Sequence, residues 1–167
     1  MKKFILASLM FLCLLTGCEK SEETIDPSAN ERYKEMINQL ESRTDFKSSS
    51  EYYDISYEVA KIDDGYRFYI TIDNAKVAMY GIEAIAIESD VDYSSNMAAN
   101  IGLFEDIEYS LIPNQVYTEK GFVKGVSISG VSSSENPTLY LMVTWHNKDL
   151  SVTNREFFKL TLGDENG

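Results

Sequence analysis

The chain has 167 residues, of which 44% are hydrophobic and 25% are charged, and its formal net charge at pH 7 is −12. This length and composition fit one globular domain with an ordinary core. The acidic balance argues against nucleic acid as a partner, because phosphate recognition needs clustered basic residues and the chain has four arginines: Arg32, Arg43, Arg67 and Arg155.

The first seventeen residues have the three parts of a secretory signal. Two lysines come first, an apolar run from Phe4 to Leu15 follows, and two small residues precede Cys18. The apolar run is too short to cross a bilayer as a helix, which takes about 20 residues. The pattern therefore predicts an export signal rather than a permanent transmembrane anchor.

The tetrapeptide Leu15-Thr16-Gly17-Cys18 resembles the lipobox of bacterial lipoproteins. In that class the cysteine thiol is diacylated and a dedicated signal peptidase cleaves before it. The resemblance implies a signal peptide over residues 1–17, a covalent lipid on Cys18 with no other cofactor, and a location on the extracytoplasmic face of a bacterial membrane. The alternatives are an ordinary secretory signal with a chance cysteine, or a buried N-terminal helix.

Processing of this kind would change the chemistry of the mature chain. Cys13 would leave with the signal and Cys18 would carry the lipid, so no thiol would remain for a disulfide, a Cys-based metal site or a nucleophile. Because residues 1–17 contain two lysines and no acid, their removal takes the net charge from −12 to −14. Such a domain is expected to be monomeric and to stand off anionic lipid.

Residues 18–29 are polar and acidic and predict a flexible tether. Residues 30–50 predict a short helix and a loop. The helix should run from about Glu31 to Ser42 with Asn30 as its N-cap, because apolar residues recur there at helical spacing: Tyr33, Met36, Ile37 and Leu40.

From residue 51 to 163 the apolar residues alternate, which predicts β-strands, and residues 164–167 are expected to form a disordered tail. Two strands around Asp63-Asp64-Gly65 predict a β-hairpin. A third strand from Lys76 to Glu88 slips in phase at Gly81, which indicates a bulge. The further predicted strands cover residues 103–112, 122–130, 139–146 and 156–162.

Seven short strands after a single helix predict an antiparallel, immunoglobulin-like β-sandwich, because a parallel sheet would need helices between its strands. A small β-barrel is the alternative. The layout also loosely resembles that of small β-rich bacterial lipoproteins, a resemblance that implies a fold and transfers no binding residue.

His146 is the one histidine in the chain and the candidate catalytic residue. Alternation places Leu139, Leu141, Val143 and Trp145 in the core. It places His146 on the outer face with Tyr140, Met142 and Thr144. No Gly-x-Ser-x-Gly turn accompanies the histidine, and one histidine without cysteine cannot supply a zinc site.

Two groups of acidic residues are further candidates. Asp90, Asp92 and Asn96 alternate like the ligands of a calcium loop, but the turn glycine and the closing glutamate of the EF-hand pattern are missing, so a solvated loop is preferred. Carboxylates at positions 105, 106 and 108 do not converge in the way that glycoside hydrolysis requires.

The chain has eleven tyrosines, and four of them are candidates for recognition because they fall on polar phases or in loops: Tyr69, Tyr93, Tyr117 and Tyr140.

Two hypotheses about function remain. The first is a non-catalytic binding module, held to the membrane by its lipid, that presents the loops Ser89 to Asn100 and Ser132 to Pro137 to an envelope protein or glycan. The second is a small envelope hydrolase that uses His146 and predicts a deep pocket beside it. The first is preferred, because no catalytic motif accompanies the histidine.

Overall fold

The computed structural model describes residues 27–163. The predicted signal peptide, Cys18 and the tether as far as residue 26 lie outside the described residues, as does the predicted tail at 164–167. Within the described part of the chain, no helix is long and apolar enough to span a membrane.

Helix α1 extends over Pro27–Glu41 and therefore begins earlier than predicted. The predicted tether includes residues 27–29, but these belong to the helix, and Asn30 lies inside the helix instead of capping it. Proline is favoured at the first helical position, since its fixed φ suits the helix and its missing N–H would have no partner there. After the last turn, Ser42 Oγ donates to the Asn38 carbonyl over 2.7 Å.

Seven strands form two open antiparallel sheets, as the sandwich prediction requires. They are β1 Asp54–Ile62, β2 Gly65–Asp73, β3 Tyr80–Glu88, β4 Ala99–Ile101, β5 Gly125–Ser132, β6 Thr138–His146 and β7 Thr153–Thr161. The smaller sheet has the order β1-β2-β5 and the larger sheet β4-β3-β6-β7. The order matches that of an immunoglobulin constant domain, except that the fourth strand pairs with β3 instead of β5. The alternative of a closed barrel is wrong.

Two local predictions are confirmed by the strand register. Ile62 pairs with Gly65 around the two-residue turn, so β1 and β2 form the expected hairpin. The register of β3 against β6 shifts between Tyr80 and Glu83, and Gly81 between them has a φ of 56°. This left-handed conformation suits glycine, which explains why the bulge falls at Gly81.

The predicted strand at residues 103–112 is wrong, and most of that segment is irregular. The Glu105 carboxylate accepts hydrogen bonds from the backbone N–H groups of Gly102 and Phe104, so these donors bond locally instead of joining a ladder. The strand β4 instead begins inside the predicted loop 89–100, and β3 begins at Tyr80 rather than Lys76.

The main core lies between the two sheets. It contains the residues of β6 that alternation predicted, namely Leu139, Leu141, Val143 and Trp145, each at most 2% exposed. The β2 side chains that face them across the sandwich are also buried: Phe68, Ile70 and Ile72.

A second core lies on the other face of the larger sheet, where α1 packs against β3 and β6. Met142 and Thr144 are consequently buried, although the sequence placed them on a solvated face. Alternation separates the two faces of a strand but does not reveal that a helix covers the second one. The outer face of the smaller sheet is uncovered, and Glu58, Tyr69 and Ser129 are exposed there.

Candidate functional site

The largest of the described concavities, about 610 Å³, lies between α1 and residues 92–97. We call it the helix–loop groove. Its lining consists of Asn30, Tyr33, Lys34, Ile37, Asn38, Glu41, Asp92, Tyr93, Ser94, Ser95, Asn96 and Met97.

One wall of the groove is a single stripe of α1. Its residues recur at intervals of three and four positions from Asn30 to Glu41, which places them along one side of the helix. Met36 and Leu40 on the adjoining side pack against the larger sheet. Because that packing holds the helix, the polar stripe has a defined orientation toward the loop.

Tyr33 connects the helix wall to the far end of the loop. Its hydroxyl oxygen accepts a hydrogen bond from the Ala98 backbone N–H over 2.7 Å, and its ring lies 5.7 Å from that of Phe104. Ala98 itself is buried. The hydrogen bond therefore secures the point at which the loop leaves the groove and enters β4.

Tyr93 secures the start of the loop in a similar way. Its hydroxyl oxygen accepts a hydrogen bond from the Glu88 backbone N–H over 2.7 Å, at the end of β3. Burial raises the pKa of this hydroxyl above its ordinary value, so the tyrosine stays neutral at physiological pH. Both ends of the loop are thus held by a tyrosine hydroxyl.

The turn inside the loop is closed by Asp92. Its two carboxylate oxygens accept hydrogen bonds from the Ser94 backbone N–H and the Ser94 hydroxyl, over 2.8 and 2.9 Å. The backbone hydrogen bond from Ser94 lowers the pKa of the Asp92 carboxyl, because it stabilises the ionised form. This arrangement is an Asx turn.

The three calcium candidates do not share one cavity. Asp92 and Asn96 line the helix–loop groove, whereas Asp90 lines a neighbouring concavity. Within residues 27–163, no three side chains of Asp, Glu, His or Cys converge as a metal site would require.

Several polar groups in the groove have no partner within the described part of the chain. The carboxamides of Asn30, Asn38 and Asn96 and the hydroxyl of Ser95 form no hydrogen bond within residues 27–163, and Lys34 forms no ion pair there. These side chains can exchange water for a ligand without breaking a bond inside the described protein.

Three smaller concavities lie elsewhere on residues 27–163. One of about 450 Å³ adjoins Pro113, one of about 260 Å³ adjoins Tyr140, and one of about 150 Å³ adjoins Arg155. The predicted loop from Ser132 to Pro137 lines none of these three and does not line the helix–loop groove.

His146 also lies outside these four concavities of the described chain. It is half-buried at the end of β6, with its Nδ1 atom 3.1 Å from Thr153 Oγ1. Glu108 and the imidazole ring both lie close to Gly81. If Gly81 carried a Cβ atom, that atom would lie 3.1 Å from Glu108 Oε1 and 3.3 Å from His146 Cδ2. The Thr153 hydroxyl thus lies beside the ring, and none of the four concavities described here includes the histidine.

The remaining sequence candidates are dispersed. Tyr69 lies on the uncovered face of the smaller sheet, whereas Tyr117 lies in a loop with the Lys120 ammonium 5.2 Å from its ring. Tyr140 is stacked on Phe46, with 4.8 Å between ring centroids. The exposed carboxylates at 105, 106 and 108 follow one loop and form no cleft with a second element.

Sequence reasoning identified the loop side of the groove but missed the helix side. The missed residues are Asn30, Tyr33, Lys34 and Asn38. Their spacing could have indicated a polar stripe with one tyrosine, but not that residues 92–97 lie against it.

The described residues form a small β-sandwich with a surface groove between α1 and a loop. No family model, curated protein or solved structure matches this chain.

Proposed function

We propose that this protein is a lipid-anchored lipoprotein of the bacterial envelope that binds a partner, without catalysis, through the helix–loop groove. The observation that supports binding is the groove itself, which combines a wall held by two tyrosine hydroxyls with polar side chains that have no partner in the described chain. A volume of about 610 Å³ lies within the usual range of small-ligand sites.

The rigidity of the groove favours affinity. A loop that is ordered only on binding would reduce affinity by the entropy of its ordering. Here Tyr33, Tyr93 and the Asp92 turn hold the loop before a ligand arrives. Most of the binding free energy from new contacts can therefore appear as affinity.

The proposed anchor rests on the resemblance of Leu15-Thr16-Gly17-Cys18 to a lipobox. The first described residue of α1 follows Cys18 by nine positions, so an anchored chain would carry the groove on the first described element after the lipid. The acidic body would be repelled by anionic headgroups, which would keep the groove open to partners in the envelope.

Site-specific photocrosslinking tests the binding function. A photoreactive amino acid at position 38 or 95 is expected to give a covalent adduct in intact cells, because both positions line the groove. The same amino acid at position 127, on the uncovered face of the smaller sheet, is the control and should give none. Adducts at position 127 alone, or at no position, would contradict the proposal.

Metabolic labelling with a fatty-acid analogue tests the anchor. Cys18→Ser should abolish the label, whereas the matched control Cys13→Ser should keep it, because residue 13 lies inside the segment that is removed. Equal labelling of the two variants would refute lipidation at Cys18.

The alternative of an envelope hydrolase has less support, since His146 lies apart from the four concavities described above. Hydrolysis of an ester, amide or glycoside substrate that is lost in His146→Ala and kept in Asn96→Ala would reverse this preference.

A further inference from the structure

We infer that the helix–loop groove binds a neutral sugar unit of an envelope glycan. The inference rests on the proposed binding function and adds the chemical class of the ligand. Four properties of the lining carry it: the type of the polar groups that have no partner within residues 27–163, the state of its tyrosines, its charge and the position of its apolar side chains, Ile37 and Met97.

The polar groups that have no partner among the described residues suit a ligand rich in hydroxyls. Each carboxamide of Asn30, Asn38 and Asn96 offers two N–H donors and a carbonyl acceptor, and the Ser95 hydroxyl can donate and accept. A sugar hydroxyl likewise donates one hydrogen bond and accepts others. Neighbouring hydroxyls of one sugar ring can therefore either donate hydrogen bonds to neighbouring side chains of the groove or accept hydrogen bonds from them.

The two tyrosines offer ring surface to a ligand. Tyr33 and Tyr93 are half-buried, and each hydroxyl oxygen already accepts a backbone hydrogen bond. The rings are thus fixed beside the polar side chains, and their carbon surface can contact the C–H groups of a sugar. Rigid aromatic rings supply such contact at a low entropic cost.

The charge of the lining disfavours an anionic ligand. Lys34 is its one cation, whereas Asp92 and Glu41 are both acidic, and the whole chain has a formal charge of −12. Long-range repulsion would slow the approach of acidic polysaccharides and weaken their binding. The groove therefore fits a neutral saccharide better than a uronic acid or a phosphorylated sugar.

A peptide ligand fits the lining less well. Peptide recognition usually relies on an apolar or aromatic anchor in a desolvated pocket. Ile37 is already packed against the larger sheet, and Met97 lies open to solvent with 63% of its surface exposed. Neither provides an empty apolar pocket.

The test uses the full chain in detergent and three sets of probes: neutral oligosaccharides of hexoses and N-acetylhexosamines, uronic-acid oligosaccharides, and a library of unstructured peptides. Calorimetry should detect binding of at least one neutral oligosaccharide. Asn38→Ala combined with Asn96→Ala should weaken that binding by about tenfold or more, because it removes two side chains that can hydrogen-bond to the ligand. Ser127→Ala combined with Ser129→Ala is the matched control and should leave it unchanged.

The outcomes separate the ligand class from the proposed function. Binding of uronic-acid probes or peptides alone, or of no probe at all, overturns the sugar inference. Groove crosslinks at positions 38 and 95 would still support the binding function in that case. A third outcome is that the groove binds a sugar in vitro but gives no crosslinks at positions 38 and 95 in cells. This outcome would contradict the proposed cellular function and would still support the ligand class. Circular dichroism of the double variant verifies that it remains folded.

Discussion

At the residue scale, Glu156 is a buried acid that is paired with Lys47 and Ser50, two residues from a distant segment of the chain. Its side chain is 3% exposed; Lys47 Nζ lies 2.5 Å from one carboxylate oxygen, and Ser50 Oγ donates to the other over 2.6 Å. A buried carboxylate is costly unless it is paired and hydrogen-bonded. These contacts therefore hold residues 47–50 against the edge of β7, where the Lys47 N–H also donates to the Phe157 carbonyl.

Lys47→Met should destabilise the protein by about 1–3 kcal/mol, because the buried Glu156 carboxylate would lose its ion pair. The ammonium is partly solvated, which moderates the loss. Lys76→Met is the matched control, since its partner Asp54 is exposed, and it should cost less than about 1 kcal/mol. Urea denaturation measures both variants, and equal losses would show that burial of Glu156 does not matter.

Stability should fall in the alkaline range for two reasons. The hydrogen bond to Glu156 raises the pKa of Lys47 above 10.5, and burial raises the pKa of Tyr53 above 10.0. A group whose pKa is higher in the folded state stabilises the fold fully below its unfolded pKa. That contribution disappears as the pH rises through the folded value.

We therefore expect the free energy of unfolding to decrease as the pH rises above about 10. Tyr53→Phe should make the decrease less steep, because Phe has no hydroxyl to ionise. Tyr69→Phe, at an exposed position, should leave the slope as it is. Urea denaturation at a series of pH values from neutral to alkaline would measure the slopes, and identical slopes for the two variants would refute the role of Tyr53.

At the scale of elements, α1 is the structure on which the groove depends. Met36, Ile37 and Leu40 bury the side of the helix that faces β3 and β6, and the adjoining stripe lines the groove. The helix has mostly polar residues elsewhere, so its position depends on this packing rather than on intrinsic propensity.

Leu40→Ala should lower the free energy of unfolding by about 2–5 kcal/mol, because Leu40 is 1% exposed and its truncation leaves a cavity between helix and sheet. Leu150→Ala, which removes the same atoms at a position 64% exposed, should change it by less than about 0.5 kcal/mol. Thermal or urea denaturation compares the two. A small effect of Leu40→Ala would mean that the helix contributes little to the fold.

Local sequence patterns predicted some of these elements correctly and one of them wrongly. Spacing identified the helix and alternation identified the hairpin, because both patterns arise within one element. The error at residues 103–112 has a local cause as well, since the Glu105 carboxylate accepts a hydrogen bond from the backbone N–H of Phe104, which is then not available to a ladder. Hydrogen bonds between a side chain and the backbone do not produce a periodic pattern in the sequence.

At the scale of the whole molecule, the two sheets have different surroundings. The outer face of the larger sheet is covered by α1, and that of the smaller sheet is exposed and polar. The net charge is a second large-scale property: it is −12 for the whole chain and would become −14 if the predicted leader, residues 1–17, were removed. The proposed anchor would thus hold a body that anionic lipid repels.

A chain that begins at residue 19, and so lacks both the leader and the lipid, should remain unbound in a flotation assay with vesicles of anionic lipid at low salt. Repulsion is strongest there, because screening is weakest. The lipidated protein should float with the same vesicles. If the unlipidated chain floats at low salt and added salt abolishes this flotation, the chain has a basic surface that its net charge does not show.

The sequence by itself determined the β-rich class, the hairpin, the bulge at Gly81 and the buried side of β6, since each follows from the local period of apolar residues. It also carries the prediction of the leader and the lipid. Only the tertiary structure decided that α1 covers the larger sheet and that the groove forms beside it. Tyr33 and Ala98 are 65 residues apart in sequence, and a contact at that distance depends on how whole elements pack.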